Sequence, residues 1–132
     1  MRILLATAGE DLFAFDPKQM AGVLAWPLTL YIPWRSLHEL ADVSAPEPEP
    51  RLLLSRSRAE DVPFAVRVPG PLREEDVPEA EIFPLPPLLA APPWVRALVS
   101  RGGSPALLLD LPLLGDTVVA LPQLPLPETI AT

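Results

Sequence analysis

Short apolar runs, separated by turn-forming and charged residues, make up most of the chain. Residues 3–6 (Ile-Leu-Leu-Ala) and 12–15 (Leu-Phe-Ala-Phe) flank the turn formers Gly9, Glu10 and Asp11. Short apolar runs on both sides of a glycine-containing turn are typical of a β-hairpin. The pattern therefore predicts two antiparallel strands at the start of the chain.

A second hairpin is predicted about 50 residues further along. Here residues 52–54 and 64–68 flank a polar turn at residues 57–61, and residues 51–54 repeat the pattern of residues 2–5. The pattern occurs in two copies, whereas a solenoid needs several stacked repeats. The repeat therefore indicates two paired subdomains.

The segment between the two hairpins is predicted to contain a further strand. Met20, Val23 and Leu24 are placed towards one apolar surface by their spacing. Residues 28–32 are β-branched and aromatic enough for a strand, which Pro33 limits to the edge or the end of a sheet.

One short helix is predicted after that strand. Ser36 is a suitable N-cap, Leu37 and Leu40 form an apolar face, and Glu39 lies in the first turn, where the helix dipole favours an acidic residue. The Pro/Glu-rich residues 44–50 are then expected to form an extended connector.

The last part of the chain is predicted to contain an acidic loop at residues 73–81 and apolar runs at 82–86 and 94–99. A glycine turn at 101–104 leads into residues 106–111, whose nearly continuous apolar run is typical of a strand buried on both faces. The Leu- and Pro-rich chain after Gly115 is expected to close the sheet or to drape over it. Short strands, frequent turns and little helical periodicity favour an all-β barrel or sandwich.

Composition supports a folded domain, since 49% of the 132 residues are hydrophobic and 20% are charged, despite 20 prolines. No apolar run approaches the roughly 20 residues that span a bilayer. The opening apolar run ends at Gly9 before a signal-peptide core can form, so a cytoplasmic protein without membrane insertion is expected. The absence of cysteine excludes disulfides, a thiol nucleophile and cysteine-ligated metals.

A net charge of −7 argues against general binding to nucleic acid, which requires a basic stripe. Two of the basic residues that could form such a stripe flank the turn at residues 57–61, where Glu60 and Asp61 are expected to offset them. The candidate basic residues are Arg51, Arg56, Arg58 and Arg67.

The sequence contains few groups suited to catalysis. The single histidine, His38, is expected on the surface or in a capping role, and Gly102 and Gly103 lack the lysine that follows in phosphate-binding loops. The acidic run at residues 73–81 is expected to be a solvated face. We therefore predict no catalytic residue, no metal site and no cofactor.

Three segments resemble the CheW-like domain family of bacterial chemotaxis. Residues 2–25 are similar to the opening hairpin of that family and the strand after it, and residues 31–68 to the strand, helix, loop and hairpin that join its two barrels. The most specific segment, residues 82–115, resembles the family's closing signature, which includes a Leu-Pro step, a glycine turn and a strand ending in Leu-Asp-Leu.

This resemblance implies a single all-β domain with two small SH3-like β-barrels and one short helix. The first barrel would span about residues 1–50 and the second about 51–120, followed by a Pro/Leu-rich tail at 121–132. It also implies a non-catalytic adaptor or scaffold that couples a chemoreceptor cytoplasmic domain to a CheA-like histidine kinase, or binds one of them.

One family segment, with the turn pattern V-x-G-x-x-N-x-R-G, is missing from this chain. The first barrel is therefore expected to lack strands and to expose an edge that Trp26, Pro27 and Pro33 cover or blunt. This departure favours an accessory protein with a single partner.

The resemblance places a set of apolar residues at the groove between the barrels, where a receptor hairpin would dock; for each, the alternative is plain core packing. Trp26 and Trp94 are expected to be the exposed anchors, and residues 28–32 offer a sheet edge for backbone pairing. The predicted partner-binding residues are Met20, Val23, Trp26, Trp34, Trp94, Val95 and Leu98.

Two further functions remain open from the residues alone. The chain could act as a stand-alone SH3-like sensor of a small ligand, or as a module that self-associates through its Pro-rich tail.

Overall fold

The computed structural model describes residues 1–27, 29, 31–85, 91–100 and 104–124. Over these residues the chain forms ten strands and two α-helices, with short 3-10 turns at Pro17–Gln19 and Glu79–Glu81. In chain order the elements are β1 (Arg2–Ala8), β2 (Asp11–Phe15), β3 (Gly22–Ala25), β4 (Trp34–Ser36), α1 (Leu37–Leu40), β5 (Arg51–Arg56), β6 (Pro63–Val68), β7 (Arg73–Asp76), β8 (Ile82–Pro84), β9 (Val95–Val99), β10 (Ala106–Leu109) and α2 (Leu111–Ala120).

Both predicted hairpins are confirmed. β1 and β2 pair antiparallel with Leu5 opposite Ala14, and β5 and β6 pair antiparallel with Leu53 opposite Val66. The turn of the second hairpin is closed by Ser57, whose hydroxyl accepts a hydrogen bond from the Val62 amide at 3.0 Å.

Six strands form one sheet in the order β7-β1-β2-β10-β9-β8. β10 lies at its centre, parallel to β2 and antiparallel to β9. Leu108 packs in the cluster on one face of the sheet and Leu109 in the cluster on the other. The prediction of a strand buried on both faces is therefore confirmed, although the strand ends at Leu109.

The six-stranded sheet curls around one of its faces. Side chains from β1 and β9 meet in a single cluster on this face, although β2 and β10 lie between those strands. We call this cluster the curled-sheet core; its buried members are Ile3, Leu5, Ala14, Val77, Ala97, Val99, Ala106 and Leu108.

The other four strands form a second sheet in the order β3-β5-β6-β4. One face of this sheet, with Leu53 and Val66, packs against the outer face of the six-stranded sheet, with Phe13 and Phe15. Both α-helices add buried leucines to this central core, among them Leu37 of α1 and others of α2. The two hairpins thus lie in different sheets that share one core.

The two sheets do not correspond to the two expected subdomains, about residues 1–50 and 51–120. The β1–β2 hairpin pairs with β7 and β10, and the β5–β6 hairpin pairs with β3 and β4. A boundary near residue 50 therefore does not separate the sheets, because each hairpin takes its neighbouring strands from the other half.

The structure contains a second helix, α2, that the sequence pattern did not predict. Residues 116–120, the start of the segment that was expected to close the sheet or drape over it, form the last part of this helix. The side chain of Asp110 accepts a hydrogen bond from the Leu113 amide at 3.2 Å, and Pro112 lies in the first turn, where proline is tolerated. The rest of the predicted tail, residues 125–132, lies outside the described residues.

The predicted acidic loop at residues 73–81 is a strand followed by a 3-10 turn. Residues Arg73–Asp76 pair antiparallel with β1, with Glu74 opposite Leu4. Backbone pairing does not require apolar side chains, and charged residues are common on edge strands because they discourage further pairing.

Two expectations for the segment after β2 were also wrong. Met20 packs on the central core while Val23 and Leu24 are exposed neighbours on β3, so their side chains point to opposite faces and share no surface. Leu28 and Leu30 of the predicted strand at 28–32 lie outside the described residues. Thr29, Tyr31 and Ile32 are not in a strand.

The strand in this region is β4, which begins two residues after Ile32. It pairs parallel with β6, and the Ala65 amide donates a hydrogen bond to the Pro33 carbonyl at 2.9 Å. The predicted helix after it is confirmed, since the Ser36 hydroxyl accepts a hydrogen bond from the Glu39 amide at 3.0 Å.

Of the predicted glycine turn, residues 101–103 lie outside the described part. None of the helices described is long and apolar enough to cross a membrane.

Candidate partner-binding face

The predicted partner-binding residues do not come together in one groove. Trp94 and Val95 are buried in the central core, and Met20 packs against it. Leu98 lies on β9 opposite Leu107 in the six-stranded sheet. Of the whole set, Val23, Trp26 and Trp34 lie in or beside the strands of the four-stranded sheet.

The expectation that Trp94 is an exposed anchor was wrong. Its exposed fraction is 7%, and its ring belongs to the central core. Its carbonyl accepts a hydrogen bond from the Asp110 amide at 2.9 Å, which ties the start of β9 to the start of α2. Proline beside a tryptophan was not enough to indicate exposure.

Trp26 and Trp34 meet on the outer face of the four-stranded sheet. Trp26 follows β3 and Trp34 begins β4, and these strands are the two opposite edges of the sheet. Their ring centroids are 5.0 Å apart with an interplanar angle of 58°. The rings therefore reach inward from both edges and pack over the buried residues Leu52 and Ala65.

Arg67 joins this pair from the middle of the sheet. Its guanidinium carbon lies 4.5 Å from the centroid of the Trp26 ring and 5.2 Å from that of Trp34. Nε and Nη2 donate to the two carboxylate oxygens of Glu47 at 2.9 and 2.8 Å. The cation is thus stacked on two rings and held by a bidentate ion pair, a geometry that suits arginine and not lysine.

From the sequence, Arg67 was considered only as a member of a candidate basic stripe. The signal for its position was the alternation of β6, which places Arg67 on the same face as Ala65. Its two tryptophan partners and Glu47 come from three separate segments of the chain, so the contact depends on the pairing of the sheet.

His38 is buried under this region rather than at the surface. Its exposed fraction is 4%, and neither ring nitrogen has a hydrogen-bond partner in the described part of the chain. Nδ1 lies 4.0 Å from Oε1 of Glu47, the carboxylate that holds Arg67. Within the described ranges, no group of three His, Asp or Glu side chains is arranged to hold a metal ion.

The remaining arginines of the candidate basic stripe are also engaged. Arg56 pairs with Asp61 and Arg58 with Asp110, each at 2.7 Å. Arg51 donates to the carbonyls of Glu49 and Pro50 at 3.3 Å. Asp61 therefore offsets the charge of Arg56, as expected.

Leu24, on β3 opposite Leu52, lies on the same face of the sheet as the two tryptophans and is 40% exposed. Its neighbour Val23, on the opposite face of β3, is 43% exposed, and Tyr31 is 91% exposed. Among the described residues, none pairs with the outer side of β3. We call this surface the tryptophan face; it consists of Leu24, Trp26, Ile32, Trp34, Leu54 and Arg67.

A solved structure matches this arrangement of two sheets. It is the crystal structure of the scaffolding protein TtCheW from Thermoanaerobacter tengcongensis, with a TM-score of 0.65 over 83% of this chain and 88% of that chain. The chain has the CheW-like fold. The two sequences are 14% identical, and neither a protein-family model nor a curated protein matches the chain. The predicted all-β, CheW-like fold class is thus confirmed.

In this CheW-like fold, residues 26–33 join β3 to β4, and the Trp26 ring packs on the outer face of the sheet. The outer side of β3 is left without a described partner strand. Over the described residues, the chain thus combines an apolar face and an unpaired edge on one sheet.

Proposed function

We propose that the chain is a non-catalytic adaptor in a chemotaxis-like signalling system, which couples a chemoreceptor to a CheA-like histidine kinase or binds one of them. The observation that carries the proposal is the fold, which matches a scaffolding protein over most of both chains. The missing segment beside β3 favours the version with a single partner.

The tryptophan face is the surface that we assign to this partner. Tryptophan and arginine are the residues most enriched among interface hot spots. Glu47 holds Arg67 against both rings before any partner arrives, so little side-chain freedom is lost on binding.

The unpaired edge of β3 adds a second element to the proposed contact. An extended segment of a partner would pair with the backbone of β3 and place its side chains over Leu24 and Trp26. Val23, on the opposite face of the same strand, would contact the other side of that segment. Trp94 and Val95 then serve the core, and Leu98 lies on the other sheet.

The test is a binding titration with the regulatory domain of a CheA-like kinase and with a chemoreceptor cytoplasmic fragment from the same genome. The wild-type chain should bind at least one of them. Leu24→Asp should weaken that binding by about tenfold or more, because it places a charge at the centre of the contact. Leu24 is 40% exposed, so the variant should fold.

Phe83→Asp is the matched control. Phe83 is 50% exposed and lies on β8 of the six-stranded sheet, so the same change in charge should leave binding unaltered. Equal losses in the two variants would reject the tryptophan face as the contact surface. Failure of the wild-type chain to bind either fragment would reject the adaptor and leave a small-ligand sensor or a self-associating module, which light scattering distinguishes.

A further inference from the structure

A surface cavity of about 560 Å³ opens on the six-stranded sheet, away from the strands that carry the tryptophan face. Its apolar wall consists of Met1, Ile82 and Leu108, all of which belong to or pack on the curled-sheet core. A volume of this size is within the range of small-molecule sites, which combine an apolar lining with a few polar groups.

The charged side chains that line this cavity carry an excess of one positive charge, to which the N-terminal ammonium of Met1 adds, in a chain whose net charge is −7. The basic side chains are Arg2, Lys18 and Arg96, and the acidic ones are Asp16 and Glu79. A local positive site in an acidic protein attracts anions.

Two of these basic side chains are available to a ligand. Arg2 lies 3.5 Å from Asp76, whereas the side chains of Lys18 and Arg96 make no ion pair or hydrogen bond with any described residue. One Asp16 oxygen accepts from the Lys18 amide at 3.0 Å and caps the 3-10 turn, so this carboxylate has a structural use of its own.

We propose that this cavity binds a small amphipathic monoanion, a carboxylate with a short alkyl tail. Lys18 and Arg96 bind the carboxylate, and the tail lies along Met1 and Ile82. The guanidinium of Arg96 offers the paired donors that a carboxylate accepts. The proposal does not depend on the adaptor function, since it uses different residues on a different sheet.

A ligand bound to Lys18 would also restrict the motion of the segment that joins the two sheets. Lys18 lies in the 3-10 turn between β2 and β3, and the next residue, Gln19, accepts a hydrogen bond from the Leu111 amide at the start of α2 through its side chain, at 3.1 Å. Binding to the folded state raises the unfolding temperature. We therefore expect the carboxylate to stabilise the whole domain.

The experiment is calorimetric titration of the full chain with decanoate, below the concentration at which it forms micelles. Decanol and decylammonium, which have the same tail and a neutral or positive head group, are the comparison ligands. Decanoate should bind saturably and raise the unfolding temperature, and the other two should bind about tenfold more weakly or worse.

The double variant Lys18→Ala/Arg96→Ala should weaken decanoate binding by about tenfold or more. Its matched control is Arg51→Ala/Arg73→Ala, which removes the same charge from residues that do not line the cavity. Ile82→Trp should also reduce binding, by filling the cavity and leaving both cations in place. If this variant fails to fold, the charge variants decide the matter, since Lys18 and Arg96 are not buried.

Three outcomes would overturn the proposal. The first is the absence of saturable decanoate binding, and the second is equal affinity for decanoate and decanol, which would indicate unspecific apolar contact. The third is an equal effect of the two charge-removing double variants, which would indicate a general response to net charge.

Discussion

Gly115 of α2 packs directly on the ring of Phe64 in β6: a Cβ atom at position 115 would lie 2.3 Å from Cε1 of that ring. Phe64 is fully buried, and its ring lies in the central core. The contact therefore has no room for a methyl group, and it fixes how closely α2 approaches the four-stranded sheet.

We expect Gly115→Ala to lower the free energy of unfolding by about 1–3 kcal/mol, the usual cost of overpacking a core. In an open helix the same change would be stabilising by about 1 kcal/mol. The control is Gly22→Ala, since nothing lies within 4 Å of a Cβ at position 22. Urea denaturation measures both variants, and a Gly115→Ala protein more stable than the wild type would contradict the contact.

The sequence predicted both hairpins correctly because the strands of each are joined by one short turn. Register in such a unit depends on neighbouring residues, and alternating burial indicates which side faces the core. The helix α2 was missed, although Asp110 and Pro112 form a recognisable helix start and the buried residues Leu111, Leu114 and Val118 recur at helical spacing. The apolar run of β10 leads directly into this helix, and Leu111 was assigned to the strand instead of to the first turn of the helix.

The tryptophan face was predicted in part. Trp26 and Trp34 were among the candidate residues, but their contact requires β3 and β4 to be opposite edges of one sheet. Those edges are set by pairing with β5 and β6, which begin more than fifteen residues after Trp34. The same dependence on distant pairing explains why Trp94 was expected at the surface and is found in the core.

Asp110 makes two contacts, and two different substitutions separate their contributions to stability. It caps α2 through the Leu113 amide and pairs with Arg58 at 2.7 Å. Asp110→Ala should lower the free energy of unfolding by about 1 kcal/mol, the usual value of an N-cap. Asp110→Asn keeps the cap and loses the ion pair, which should cost less than about 0.5 kcal/mol because Arg58 is largely exposed. If urea denaturation shows the same loss of unfolding free energy in both variants, a capping role for Asp110 is contradicted.

His38 is expected to be replaceable by an apolar residue. Both ring nitrogens are buried without hydrogen bonds in the described part of the chain, and a buried unsatisfied polar group costs about 1–3 kcal/mol. His38→Leu should leave the free energy of unfolding unchanged or raise it by about 1 kcal/mol. Ser36→Ala in the same helix is the contrasting variant, because it removes the N-cap bond to Glu39 and should be destabilising. A loss in His38→Leu as large as that in Ser36→Ala would show that the imidazole has a stabilising contact.

Arg67 is expected to tolerate lysine poorly, because lysine keeps the charge but loses both the bidentate bond to Glu47 and the planar stacking. The side chains of Arg67 and Glu47 are each 21% exposed, so solvent screens this pair only in part. Arg67→Lys should lower the free energy of unfolding by about 2 kcal/mol, as for hydrogen bonds to charged groups. It should also change the fluorescence of Trp26 and Trp34, whose rings lose the planar guanidinium that lies over them.

Arg56→Lys in the same hairpin is the matched control for Arg67→Lys. Arg56 pairs with Asp61 at 2.7 Å, but both side chains are more than half exposed, and such pairs contribute less than about 1 kcal/mol. The same substitution should therefore have little effect on stability and none on tryptophan fluorescence. If both lysine variants lose the same stability and neither changes the fluorescence, then Arg67 does not hold the two rings. The tryptophan face would in that case lack the rigidity on which the proposed partner contact relies.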